Sequence, residues 1–169
     1  MFLCCLLSAI GMSLTPAAGQ TVKPTLAVTI SLEAPATGTG PGRYTAKAGS
    51  EIFVTVHITN TSNRNLSLDY DSDSRTGVGF ANRYEIRGTD GSLLTKRAIT
   101  HPEIRSSGHG WPARVLESGA SMDISGDHVS RLYNLDRPGE YTIQLSRAFG
   151  DHRERYISRS NSIRLTLTD

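Results

Sequence analysis

The sequence predicts an all-β chain, an immunoglobulin- or fibronectin-like β-sandwich of about seven strands preceded by a signal peptide. Three observations carry that prediction. Apolar residues recur at every second position in segment after segment, the period of a strand with one buried face. Clusters of Gly, Pro, Asn, Asp and Ser separate these segments, as turns require. No long stretch shows the i, i+3, i+4 spacing of an amphipathic helix.

Residues 1–19 carry no charge, and Phe2 to Leu14 is an apolar run broken only by Ser8, Gly11 and Ser13. That is the length of a signal-peptide core, and Ala17 and Gly19 occupy the small-residue positions of a cleavage site, so cleavage is expected before Gln20. No positive charge precedes the run, so either the true start lies further upstream or the signal is weak. Cys4 and Cys5 both fall in this segment. A domain spanning residues 20–169 therefore has neither a disulfide nor a thiolate metal site, and its stability must come from its core. The chain is expected to be secreted or periplasmic.

Along the domain, Leu26, Val28, Ile30 and Leu32 form the first alternating segment and Ile52, Val54, Val56 and Ile58 the second. Leu66, Leu68 and Tyr70 give a shorter copy. Tyr84 and Ile86 alternate with Glu85 and Arg87 ahead of a turn at Thr89-Asp-Gly-Ser92. Met122 and Ile124 mark a weak strand, Tyr141, Ile143 and Leu145 a strong one, and Ile163, Leu165 and Leu167 the last. Asp127 to Leu135 is helix-like, with Val129, Leu132 and Tyr133 on one face, and reads as one short crossing turn. Thr37 to Gly49 and Thr95 to Arg114 read as long loops, and long ordered loops in compact domains tend to be functional.

Lys and Arg number 18 against 16 Asp and Glu in 169 residues, room for one domain and too balanced to steer nucleic acid by bulk charge. No apolar run is long enough to span a membrane. The expected partner is another protein or a glycan, with no nucleic acid.

Some of these segments also resemble a known family. Val54-Thr-Val-His-Ile-Thr-Asn-Thr-Ser62 looks like a strand and turn of bacterial immunoglobulin-like domains. Tyr84-Glu-Ile-Arg87 with Asp90-Gly91, Leu116-Glu-Ser-Gly-Ala-Ser121 and Pro138-Gly-Glu-Tyr-Thr-Ile143 resemble motifs of the intracellular proteinase inhibitor (BsuPI-like) family. Ser118 and Ala120 depart from that family's Pro and Glu, and residues 95–114 depart from it altogether. The resemblance spans roughly residues 50–167. It implies an immunoglobulin-like sandwich in which Tyr141 caps a corner and Asn60 and Asp90-Gly91 make tight turns. It also implies protease inhibition as an activity to consider, with no inhibitory loop that can be transferred.

Few residues suggest chemistry. Asp69, Asp71 and Asp73 have the spacing of calcium ligands, but Ser74 and Phe80 stand where an EF-hand loop needs Gly and Glu, so a solvated loop is expected instead. His57, His101, His109, His128 and His152 form no metal motif, and His57 falls on the polar face of its strand. No nucleophile elbow or triad spacing occurs. The reading is a protein with no catalytic residues, metal or cofactor. Arg147 to Arg159 interleaves arginines with Phe149, His152 and Tyr156; it reads either as part of a connection exposed at one end of the sandwich or, equally, as a twisted hairpin whose arginines pair with Asp151 and Glu154. The candidate binding residues are His109, Trp111, Arg153, Arg155 and Tyr156, because Arg and aromatic side chains dominate binding energetics. The implied function is that of an exported binding domain; protease inhibition and a structural role in an envelope assembly are the alternatives. Asn60-Thr-Ser and Asn65-Leu-Ser are also glycosylation sequons.

Overall fold

The computed structural model describes residues 25–68, 82–97, 114–150 and 155–169, the side chains of residues 125, 126, 150 and 155 excepted. The signal-peptide expectation, the three aspartates, His101, His109, Trp111, His152 and Arg153 lie outside the described residues.

Ten strands and one helical turn are present among the described residues: β1 (Leu26–Leu32), β2 (Thr37–Gly40), β3 (Arg43–Lys47), β4 (Phe53–Asn60), β5 (Leu66–Leu68), β6 (Asn82–Arg87), β7 (Arg114–Leu116), β8 (Ser121–His128), α1 (Val129–Leu132), β9 (Gly139–Gly150) and β10 (Arg155–Thr168). One sheet has the order β1-β4-β8, the other β2-β3-β10-β9-β6, and β5 pairs with β7. All pairings are antiparallel except β3 with β10.

The alternation read from the sequence becomes the two inner faces. Val54, Val56 and Ile58 of β4 are fully buried and flanked by Val28 and Ile30 of β1. From the second sheet Ile86, Ile143, Leu145, Ile163 and Leu165 join the same hydrophobic core, all of them fully buried. Each such Val, Ile or Leu withdrawn from water contributes about 1.5–3 kcal/mol, so this layer stabilises the pairing of sheets without a disulfide. The fold is an open β-sandwich of immunoglobulin type. The corner expected at Tyr141 is present: its hydroxyl donates to the Arg137 carbonyl at 2.9 Å. Gly139 opens that corner with φ +149, and a Cβ there would meet Thr89 Oγ1 at 3.2 Å, so both backbone and space require glycine.

Three segments correct or refine the sequence expectation. Thr37 to Gly49 is not a plain loop, because β2 and β3 form a hairpin within it, and β3 then docks against β10. Of the two forms expected, Arg147 to Arg159 takes the hairpin. Strands β9 and β10 run on through most of it, pairing Tyr156 with Phe149 and Arg159 with Ser146. Asn60 serves its turn from the end of β4, with its side chain wholly buried and its Oδ1 accepting the amide two residues on. Its Nδ2 donates to the carbonyls of Arg64 (2.8 Å), Leu116 (2.9 Å) and Glu117 (3.0 Å), and its Oδ1 accepts from the Ser62 amide and hydroxyl. The sequon at Asn60 is therefore closed in the folded chain, whereas Asn65 is exposed. The turn at Asp90-Gly91 is as expected: Gly91 has φ +77, and Asp90 accepts from the Ser92 amide and hydroxyl, which holds its carboxyl below the usual range.

Candidate functional site: a groove along the edge of the larger sheet

Strand β6 is the last strand of the five-stranded sheet, and the chain beyond it closes its free edge. After the turn at Gly88–Ser92 the backbone doubles back. Leu94 donates its amide to the Ile86 carbonyl at 2.8 Å, and the Arg97 amide reaches the Leu132 carbonyl at 2.7 Å. Tyr133, just past α1, donates its hydroxyl to the Tyr84 carbonyl at 2.6 Å. Burial raises the Tyr133 pKa, so the donor stays protonated at neutral pH. An edge satisfied in this way does not invite another strand.

Between this returning segment and the outer surface of the sheet lies a groove of about 560 Å³. Leu93, Thr95 and Lys96 form one wall, Ile157 and Arg159 of β10 the other, and Arg83, Glu85 and Ser146 contribute the floor. Leu93 is 57% exposed and Ile157 70% exposed; with Val115 they are the large hydrophobic side chains most open to water among the described residues. Glu85 is engaged already, accepting from Arg87 Nε at 2.9 Å and Nη2 at 2.5 Å. Three cations, Arg83, Lys96 and Arg159, thus face the groove beside two exposed aliphatics. The arrangement suits binding: it offers donors and apolar contact around a shallow trough.

Of the sequence-predicted residues, Tyr156 belongs to the inner side of β10, half-buried with its ring 5.4 Å from that of Phe149. Arg155 pairs in register with Gly150. The pleat that turns Tyr156 inward sends Ile157 and Arg159 outward into the groove. Sequence reasoning placed candidates on this stretch of β10 and did not name Ile157 or Arg159 among them. It also missed Leu93, whose only signal was an aliphatic residue after a turn.

Beneath the groove, between the sheets, lies a buried polar cluster. Asp127 Oδ2 accepts from Tyr84 Oη and Asn82 Nδ2, both at 2.5 Å, and Arg147 Nη1 donates to Asn82 Oδ1 at 2.6 Å. Arg147 is 1% exposed, so it belongs to this inter-sheet tie and not to a binding surface. Burial, followed by the charge of Asp127, pushes the Tyr84 phenol well above its ordinary range. On the smaller sheet, exposed His57 pairs with Asp123 across β4 and β8. His128 is buried, stacked 4.4 Å from Phe53 and 3.7 Å from Glu51, and burial lowers its pKa, with the nearby Arg131 adding to the effect. Among the described residues no group of three or more His, Cys, Asp or Glu could hold a metal, and no helix is long and apolar enough to cross a membrane.

With an immunoglobulin-type sandwich and an edge groove defined, comparison with known proteins adds likeness of shape. No family model matches the sequence, and no curated protein matches it. Among solved structures, the chain is similar to a structural genomics target designated SoR45, with 12% identity, a TM-score of 0.45 and coverage of 84% of this chain and 86% of that one. It is also similar to a putative ApaA protein from Bordetella pertussis, with 11% identity, a TM-score of 0.41 and coverage of 86% and 94%. A third similar structure is an ASH/PapD-like domain of human CEP192, with 14% identity, a TM-score of 0.41 and coverage of 95% and 99%.

Proposed function

We propose that this chain is an exported, non-catalytic interaction domain that binds another protein through the groove along β6. The observation that carries the reading is the pairing of Leu93 and Ile157, two strongly exposed aliphatics on opposite walls of one trough in an otherwise polar sheet face. Exposed apolar side chains gathered at one place and rimmed by charge mark interaction surfaces. The test is a photo-crosslinking residue placed at Ile157, with a second at Thr29 on the opposite sheet as control, in secreted and envelope extract of the source. A saturable protein adduct from position 157 alone is the expected result. Equal labelling from both positions, or labelling from Thr29 alone, refutes it.

The resemblance of Tyr84–Arg87, Asp90-Gly91 and Pro138–Ile143 to BsuPI-like inhibitors favours a second reading, inhibition of an extracellular or periplasmic protease. It predicts stoichiometric loss of a protease's activity on mixing, and an adduct at position 157 that proves not to be a protease counts against it.

A further inference from the structure

The net charge of +2 conceals a segregation by face. Alternation along β3, β6 and β10 places Arg43, Lys47, Arg83, Arg87, Arg159 and Arg164 on the outer face of the five-stranded sheet, all exposed. Against these six cations the described part of that face carries two carboxylates, Glu85, which is engaged by Arg87, and Glu140. The outer face of the smaller sheet carries threonines, serines, His57 and Asp123, with no Lys or Arg among its described side chains.

The cations are arranged in rows. Arg159 and Arg83 both pair with Ser146, and Arg164 and Arg87 both pair with Thr142, with Arg43 beside Arg164. Ile157 sits one row beyond Arg159, and Leu93 bridges to Arg87. The two aliphatics are therefore three rows apart along the strands, about 20 Å at ~3.3 Å per residue, and three strand spacings apart across the sheet, about 14 Å at ~4.8 Å each, a diagonal of about 25 Å. An extended segment of about nine residues covers that diagonal, with one end on Ile157, the other on Leu93, and its middle over Arg83, Lys96 and Arg159.

Resting on the reading of this groove as a protein-binding site, we propose that its occupant is an acidic extended peptide segment. An aliphatic side chain at each end would seat against Ile157 and Leu93, and a carboxylate two residues in from the Ile157 end would meet Arg83, Lys96 and Arg159. Charge complementarity selects an acidic partner, and paired guanidinium groups favour carboxylates. The two tyrosines that line the groove, Tyr84 and Tyr133, are buried with their hydroxyls engaged, and the described outward positions of this face include no aromatic ring, so bases and sugar rings find no exposed stacking platform; this favours the peptide over single-stranded nucleic acid and glycans. Because Leu94 and Tyr133 already occupy the edge of β6, recognition is by side chains and not by strand addition.

The test is an NMR titration of the full chain, labelled with nitrogen-15, using the peptide acetyl-Leu-Ser-Glu-Ser-Gln-Ser-Ser-Ser-Leu-amide and its counterpart with Lys in place of Glu. The Glu peptide is expected to shift the amides of β6, of Leu93 to Lys96 and of Ile157 to Arg159, and to leave Thr29 and His57 unmoved. Arg83→Glu with Arg159→Glu, both at exposed positions, should weaken its binding at least about tenfold and reverse the preference toward the Lys peptide. Folding of that variant is checked by its unperturbed Thr29 and His57 amides. Equal response to both peptides, no response at millimolar peptide, or stronger shifts with an oligothymidylate or anionic lipid vesicles overturns the proposal. A protein adduct at position 157 without acidic-peptide binding overturns the acidic occupant and leaves the interface standing; loss of both overturns the two together.

Discussion

Asn60→Asp is nearly isosteric, yet it should be among the most damaging single changes in the chain. The Asn60 side chain is fully buried, and its Nδ2 faces three backbone carbonyls at 2.8, 2.9 and 3.0 Å. Those carbonyls belong to the turn after β4 and to the end of β7, so this one amide ties the β5–β7 pair to the larger framework. Changing that nitrogen to oxygen removes the donor and turns an acceptor toward three acceptors. Each neutral hydrogen bond lost costs about 1 kcal/mol net, and an orphaned buried polar group about 1–3 kcal/mol. A buried carboxylate without a cation must in addition stay protonated or carry its desolvation penalty. The sum is about 3–5 kcal/mol at neutral pH.

Asn60→Ala also removes the acceptor for Ser62 but introduces no charge, so it should cost less, about 2–4 kcal/mol. The carboxyl introduced by Asn60→Asp has a raised pKa when folded. Its contribution is therefore least harmful below the ordinary Asp range near 4 and worsens as pH rises through the folded value. Urea unfolding followed by circular dichroism at pH 4 and pH 7 measures both effects. Asn60→Asp within about 1 kcal/mol of wild type at pH 7 would falsify the assignment of Asn60 as the donor that holds these carbonyls.

The buried titratable groups and the groove give further expectations. His128 is held neutral by burial, so its folded pKa lies below its unfolded one; the stability it confers is full above about pH 6.5 and is lost as pH falls toward the folded value. His128→Gln should flatten that part of a stability–pH curve, and an unchanged slope between pH 7 and 5 contradicts the burial argument. Tyr84→Phe removes a donor to Asp127 and should cost about 1–3 kcal/mol by urea unfolding. In wild type, the Tyr84 phenol stays protonated well above 10, its stabilisation being lost as pH rises through the folded value, so alkaline absorbance titration should show one fewer titrating tyrosine until unfolding. Tyr141→Phe removes the corner hydrogen bond and should cost about 1 kcal/mol without altering groove binding. Ile157→Ser should change stability by less than about 0.5 kcal/mol, since its side chain is mostly in water before binding, and abolish the adduct formed from a photo-crosslinking residue placed at Thr95 on the opposite wall.

The fold was legible wherever one face of a strand is purely aliphatic. Leu26 to Leu32, Val54 to Ile58, Tyr141 to Leu145 and Ile163 to Leu167 are strands with the facing read from their period. The hairpin β2–β3 was hidden because Gly and Pro dominate it, and only Tyr44 and Ala46 mark an inward side. The continuation of β9 past Leu145 was hidden for a different reason. Its next inward position is Arg147, and an arginine at a core position reads as a surface residue until Asn82, 65 positions away, supplies a partner. Asp127 disguised β8 in the same way. Groove residues left little trace, since a lone exposed Leu or Ile in sequence looks like weak core.

Along β9 and β10 the pleat gives adjacent residues opposite tasks: Arg147 and Tyr156 face the core, while Ser146, Ile157 and Arg159 face the groove. The arginine-rich stretch that looked like a single binding surface is thus two populations of side chains, distinguished by the parity of their positions on each strand. An inward substitution such as Arg147→Ala leaves Asn82 Oδ1 without its buried donor and should lower stability and any binding together. An outward one such as Arg159→Glu should lower binding of an acidic segment with stability nearly unchanged. If inward and outward changes produced the same loss of binding at equal stability, the register of β9 on β10, and with it the groove, would have to be redrawn.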